Sequence, residues 1–175
     1  MDFEKALKKI VGICEEEKIS YMIVGGFATS YHNRFRFTAD IDLVIQIYPH
    51  DVERIMKYFP EWSSMTEGFK DLAARGIIFN IIDMESGVKF DFMIYQDSDY
   101  NWTAFERRRK VEYFGIECFL SSIEDLIISK LKWYSISESS KQLEDIKFLI
   151  KQEGLNWQYL EGWTNRLLIN RYDLF

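Results

Sequence analysis

Residues 37–45 read FTADIDLVI. Six of these nine residues are apolar, which is the composition of a buried strand. Two aspartates interrupt it, Asp40 and Asp42. Side chains alternate along a strand, so the two carboxylates share a face while Ile41 and Leu43 take the other. Two carboxylates about 4 Å apart repel by roughly 4 kcal/mol at an effective dielectric near 20. A small domain is stable by only ~5–15 kcal/mol, so this repulsion must be offset. A proton, an arginine or a divalent cation can each do so. In the ordinary structural reading, Asp40 caps the turn after Thr38 and Asp42 pairs with Arg36.

Two features on either side of this strand bear on the choice. Upstream, Gly25-Gly26 ends the apolar stretch YMIV (21–24), directly before a segment able to start a helix. Read plainly, this is a tight turn. Backbone amides at a helix start, with no side chain in the way, also suit a phosphate. Downstream, VKFDFMI places Asp91 in the middle of an apolar run, on the face opposite Phe90 and Phe92. A lone buried charge is costly, and Lys89 on the same face can pair with it. Alternatively, Asp40, Asp42 and Asp91 converge into a hard-oxygen site for Mg²⁺, which keeps several waters and bridges to phosphates.

The 175 residues suggest one domain with a small appendage, and 47% hydrophobic and 17% aromatic residues argue for a packed core and against disorder. The net charge of −6 excludes binding of nucleic acid through global electrostatics. Phosphates must be met by local clusters, of which there are three: Arg34 with Arg36, the run Arg107-Arg108-Arg109-Lys110, and Lys130 with Lys132. The basic run reads as a solvated surface, or as backbone contacts if the acceptor is RNA. No apolar run is long enough to cross a bilayer, so no membrane partner is expected. Two isolated cysteines, Cys14 and Cys118, argue against structural zinc and a disulfide framework, and point to a reducing, cytoplasmic compartment.

Periodicity organises the remainder. Residues 3–18 carry a helical stripe of Phe3, Leu7, Ile10, Val11 and Cys14. Residues 50–59 read as a helix that Pro60 ends. Residues 77–83 and 88–95 read as a hairpin with Gly87 in its turn, and KVEYFGIECFL as a second hairpin around Gly115. A short helix is expected over 100–108. From Ser122, an N-cap with Asp125 at capping-box spacing, helices follow through 138–152 and 156–168. The expected fold class is α+β or α/β: a mixed β-sheet flanked by helices over 1–120, and a helical C-terminal extension over 121–175 packed on it.

IVGGFATSYHNRFRFTADIDLVI, followed by KFDFMI, resembles the core of the DNA polymerase β-type nucleotidyltransferase superfamily. That signature is a small-residue turn, a spacer, Asp-x-Asp, then a distal Asp on a later strand. The run R-x-R-x-T-x-D-I-D-L is similar to the small stand-alone members, toxin-like and antibiotic-modifying. The resemblance covers mainly residues 21–95. It implies transfer of a nucleotidyl group from an NTP to an acceptor hydroxyl, dependent on Mg²⁺ (or Mn²⁺). Asp40, Asp42 and Asp91 would hold the metal, with Asp91 helping to deprotonate the acceptor. Gly25 and Gly26 would cradle the triphosphate, and Arg36 and Thr38 would belong to the nucleotide site. Many members have Gly-Ser where this chain has Gly-Gly, leaving Thr29 or Ser30 as substitutes. Leu126 to Lys130, then Leu143-Glu144-Asp145-Ile146, are similar to paired helices of toxin-like relatives. Lys130 is then either a snorkelling lysine or a charge aimed at the triphosphate. Asp145 reads as structural, bonded to Lys141 one turn back. The acceptor is left open between small molecule, protein and RNA, with an antitoxin or a second copy as further partners. A rival reading is a nucleotide- or partner-binding module without turnover.

Overall fold

The computed structural model describes residues 2–32 and 38–175. The first helix, α1 (Phe3–Glu16), is capped by Asp2, whose side chain accepts from the Lys5 amide, and it buries the stripe from Leu7 to Cys14. Strand β1 (Ser20–Val24) runs straight into the short helix α2 (Gly25–Tyr31), and β2 (Asp40–Gln46) follows. A 3₁₀ turn at Pro49–Asp51 leads into α3 (Val52–Met56). Pro60 does not simply end this segment. It opens a second 3₁₀ turn, Pro60–Met65, which feeds α4 (Thr66–Ala74). Only the stripe of Phe69 and Ala73 marks α4, because Gly68 and neighbouring charges blur its period.

The hairpin β3 (Phe79–Ile82) and β4 (Lys89–Ile94) has Gly87 in its turn at φ +70°. Next come α5 (Asp99–Glu106), the hairpin β5 (Arg109–Tyr113) and β6 (Ile116–Leu120), and the helices α6 (Ile123–Ser137), α7 (Ser140–Leu149) and α8 (Trp157–Arg166). Ser122 caps α6 by accepting from the Asp125 amide, as the sequence predicts. Glu138, left-handed at φ 48°, closes the same helix.

The strands form one mixed sheet in the order β3-β4-β2-β1-β6-β5. β2 is antiparallel to β1 and parallel to β4. Ile41, Leu43, Ile45, Phe79, Ile81, Phe90 and Phe92 all face the main core and are buried there with Leu7 and Ile10 of α1 and Phe59. The same apolar cluster continues into Leu126, Ile127 and Leu131 of α6, Ile146 of α7 and Leu160 of α8. The other face of the sheet is covered over β1 by Phe105 of α5, against Met22 and Val24. Toward β4 and β3 it carries Lys89, Asp91 and Asn80 together with the partly exposed Ile82 and Met93, and the candidate site lies there.

Cys14 and Cys118 are buried and unpaired, and burial pushes the Cys14 thiol up to about 12. Among the described residues no helix is long and apolar enough to cross a membrane.

Candidate active site

Strand register assembles the carboxylates. In the antiparallel β1/β2 pair, Val24 lies opposite Asp42. In the parallel β2/β4 pair, Asp42 lies beside Asp91, and Asp40 beside Lys89. Adjacent strands are about 4.8 Å apart, so Asp42 and Asp91 are side-by-side neighbours on one face. Asp40 is one pleat along.

The glycine turn is built around Asp42. Gly25 has φ +63°, a conformation that suits glycine. A Cβ there would overlap the Asp42 carboxylate, with the carboxyl carbon only 2.7 Å away. The Gly26 amide donates to the same carboxylate. In this structure the Gly25-Gly26 turn therefore seats an acid. The hydroxyls downstream turn back into α2: Thr29 donates to the Gly25 carbonyl at 2.8 Å and Ser30 to the Gly26 carbonyl at 3.1 Å. Thr29 is fully buried and does not line the cleft.

Among the described residues the pair is only partly compensated. Burial, then the charge of Asp91, raises the Asp42 carboxyl above the ordinary carboxylate range, against the pull of the Gly26 amide. Lys89 supplies partial compensation. Its Nζ lies 2.7 Å from Asp91 Oδ2 and 3.5 Å from Asp40 Oδ2. Burial alone would lower the Lys89 ammonium, but the Asp91 bond and the two negative charges outweigh it and hold it high. Asp91 thus pairs with Lys89, as one sequence reading expected, and also stands beside Asp42. Asp91 Oδ1 is buried and has no hydrogen-bond partner among the described residues.

These residues floor a cleft of about 300 Å³. Gly25, Gly26, Thr38, Asp40, Asp42, Asp91 and Lys130 all line it, so seven of the eight residues expected from sequence come together. Arg36 lies outside the described residues. Thr38 holds the entry to β2, its hydroxyl donating to the Asp40 carbonyl at 3.3 Å. Opposite the sheet, the wall comes from α6 and α7 through Ser129, Trp133, Lys141 and Gln142. Of these, the sequence singled out Lys141, as a partner for Asp145 and not as part of a cleft. Ser129 and Trp133 share the α6 face with Lys130 by helical spacing, a signal that was available. Nothing local marks Gln142.

Lys130 is neither solvated nor loose. Its side chain is 4% exposed and its Nζ sits 2.8 Å from Asp145 Oδ2, itself fully buried. Among the described residues Asp145 pairs with Lys130 of α6, across the two helices. This pair ties the two helices of the cleft wall together. Removing one partner of a buried ion pair typically costs about 3–5 kcal/mol. Lys130→Met is therefore expected to lower the denaturant midpoint by that equivalent, and Lys130→Met/Asp145→Leu to recover most of the loss. Equal destabilisation in the single and double variants would show that the pair is not what holds α6 to α7.

In the basic run at 107–110, Arg109 and Lys110 are exposed, as a solvated run would be, whereas Arg107 is half-buried. Arg107 turns inward, with Nη2 2.9 Å from Glu124 and Nε 3.3 Å from Asp125, and its guanidinium 3.8 Å from the Tyr159 ring centroid. Lys110 pairs with Glu117 at 2.9 Å. Arg107 is thus part of the join between α5, α6 and α8. The acids at the start of α6 were the available clue.

The donor chemistry suits a hard divalent cation, with two adjacent carboxylates, one raised by the other's charge and one with an orphaned oxygen. Among the described residues, however, no three acidic, His or Cys side chains converge closely enough to hold a metal ion as they stand. Lys89 holds Asp40 and Asp91 instead.

A family model described as a nucleotidyltransferase of unknown function (DUF6036) matches residues 2–168. The chain belongs to this family. Among curated proteins, none matches this nucleotidyltransferase in sequence. Solved structures similar to it include the antibiotic-resistance factor ANT(2″)-Ia in solution (14% identity, 96% of this chain and 95% of that one, TM-score 0.61). The same factor in complex with adenylyl-2″-tobramycin is similar at TM-score 0.57 (15% identity, 94% and 96% covered). An antigenic nucleotidyltransferase-like protein from Paracoccidioides brasiliensis gives 0.56 (18%, 98% and 89%). The lincosamide adenylyltransferase LnuA with lincomycin gives 0.50 (15%, 85% and 96%). At these identities the likeness shows a shared fold, the mixed sheet with flanking helices expected from sequence. Family membership makes the protein a transferase of nucleotidyl groups.

Proposed function

We propose that this nucleotidyltransferase moves an NMP group from an NTP to the hydroxyl of an acceptor, with Mg²⁺ (or Mn²⁺) held by Asp40, Asp42 and Asp91. The observation that carries the reading is the Asp42–Asp91 cross-strand pair, floored in a cleft and seated by a glycine turn. Its repulsion is a cost the fold has no structural reason to bear. A divalent ion there would neutralise the acids, orient the triphosphate and stabilise charge on the α-phosphoryl group.

The chain's own residues do the rest. Gly25 and Gly26 keep Asp42 aimed into the cleft and leave its mouth free of side chains on that side. Asp91 Oδ1, without a partner among the described residues, takes the proton of the acceptor hydroxyl. The acceptor oxygen then bonds to the α-phosphorus as the bond to the β-phosphate breaks, and pyrophosphate leaves with that electron pair. Thr38, Arg36 and Lys130 complete the nucleotide site, with Lys130 acting from the position Asp145 gives it. Lys89 is the ammonium displaced from Asp40 and Asp91 when the site is loaded. The adenylyltransferases of the same fold support ATP as a donor and a small molecule as acceptor.

The test is incubation with each α-labelled NTP, Mg²⁺ and total cell extract, with label transfer and pyrophosphate measured together. Both are expected with wild type and neither without divalent cation. A second reading, NTP binding without turnover, is favoured by the way Lys89 already bridges Asp40 and Asp91. It would show as Mg²⁺-dependent NTP binding with no pyrophosphate released.

A further inference from the structure

The sheet face that carries the carboxylates does not stop at Asp91. Beyond β4 lies the edge strand β3, and its register puts Asn80 beside Asp91 and Ile82 beside Lys89. One row across the sheet therefore reads Asn80, Asp91, Asp42, Val24. On the core face of β3, Phe79 and Ile81 are buried. On the other face, Ile82 stays 43% exposed, and Ile78, just before the strand, is 42% exposed and lines the cleft beside Met93. A strand with one face packed and one face free ordinarily alternates apolar with polar, and edge strands are usually blunted by charge. Ile78 and Ile82 therefore leave apolar surface exposed on the face of the edge strand that carries Asn80 beside Asp91.

The charges around the cleft are equally specific. Among the described residues lining it, Asp40, Asp42 and Asp91 are the only acids. Asp40 and Asp91 are engaged by Lys89 and Asp42 by the Gly26 amide in this structure, and all three would hold the metal in the loaded one. The lysines Lys130 and Lys141 stand on the helical wall, the side suited to a polyphosphate. No further carboxylate is left in the cleft to receive a polycationic acceptor.

Resting on the nucleotidyl-transfer reading, we infer that the acceptor lies on the β3 side, against Ile78 and Ile82, and is a neutral hydroxyl compound with an apolar face. Asn80 is the polar group next to Asp91 on that side, and its amide can both donate to and accept from the acceptor's hydroxyl. The nucleotide then occupies the side of α6 and α7, and the two substrates meet over Asp91. The isoleucines bind the acceptor's carbon skeleton and Asn80 orients its oxygen.

A small-molecule cell extract is separated into a fraction retained on a cation exchanger, a fraction retained only on a reversed-phase matrix, and the remainder, beside a macromolecular fraction. Each is incubated with wild-type enzyme, Mg²⁺ and labelled NTP. Label is expected in the reversed-phase fraction. Label confined to the cation-exchanged or macromolecular fraction, or absent from the reversed-phase one, overturns the inference. With that fraction as acceptor, Ile82→Ser and Asn80→Ala should raise its KM about tenfold or more, with NTP affinity unchanged. Unchanged acceptor KM in both variants also overturns it. Failure of the underlying reading is separately visible, as absence of Mg²⁺-dependent NTP binding by the wild type.

Discussion

Asp42→Asn is expected to reduce nucleotidyl transfer by about 10³-fold or more, roughly 4 kcal/mol of barrier, while making the protein more stable. The loss follows because an amide oxygen is a poor ligand for a hard divalent ion and cannot replace the charge lost. The gain in stability follows from the sign of the pKa shift. Burial and the charge of Asp91 raise the Asp42 carboxyl in the folded state. A carboxyl raised on folding destabilises the native state once both states are ionised, and this penalty fades as pH falls through the folded-state value. The melting temperature of Asp42→Asn should therefore exceed that of the wild type by a few °C at neutral pH. Below the ordinary aspartate value, under pH ~4, the difference should shrink toward zero. Thermal melts of both proteins across pH 3–8, in the presence of a chelator, check this. A variant less stable than the wild type at pH 7 would mean that Asp42 is a satisfied structural acid.

Gly25→Ala is expected to cut transfer by about 10²-fold while leaving a folded protein. Its Cβ would fall onto the Asp42 carboxylate, and its φ of +63° is unfavourable for alanine by about 1–2 kcal/mol. The carboxylate is the end of a short side chain and can turn aside, so the fold survives but the acid moves. The loss should fall on kcat more than on NTP affinity, because the groups on α6 and α7 are untouched. Circular dichroism and calorimetry establish folding, and steady-state kinetics with varied NTP separate the two parameters. Wild-type kcat in folded Gly25→Ala would show that the position of Asp42 does not matter to the reaction.

The elements most legible in the sequence were those with an uninterrupted period. The α1 stripe, the alternation around Asp40 and Asp42, the Phe90–Asp91–Phe92 alternation and the Ser122 cap all led to the right element. Each of these signals is local, lying within one turn or one strand. What was not legible is what depends on non-local pairing. The sequence shows Asp42 and Asp91 on polar faces of two strands, but only the parallel register makes them neighbours. Lys89 reads as a partner of Asp91; that it also reaches Asp40 follows from the same register. Lys130 and Asp145 lie on separate helices, so helical spacing suggested Lys141 as the partner and missed the cross-helix pair. Arg107 sat in a run whose composition reads as solvated, and only the fold buries it against two acids and a tyrosine ring. The helix α4 was lost because a glycine and scattered charges leave too few apolar positions to establish a period.

The account rests on Asp42 and Asp91 acting together as ligands of one divalent ion beside a bound nucleotide. The most direct measurement is a Mn²⁺ titration, read by electron paramagnetic resonance, in the presence of a non-hydrolysable NTP analogue. Wild type, Asp42→Asn and Asp91→Asn are compared. The wild type is expected to bind Mn²⁺ in a ternary complex, and each variant to weaken that binding by about tenfold to a hundredfold. Equal Mn²⁺ affinity in all three proteins would contradict the account.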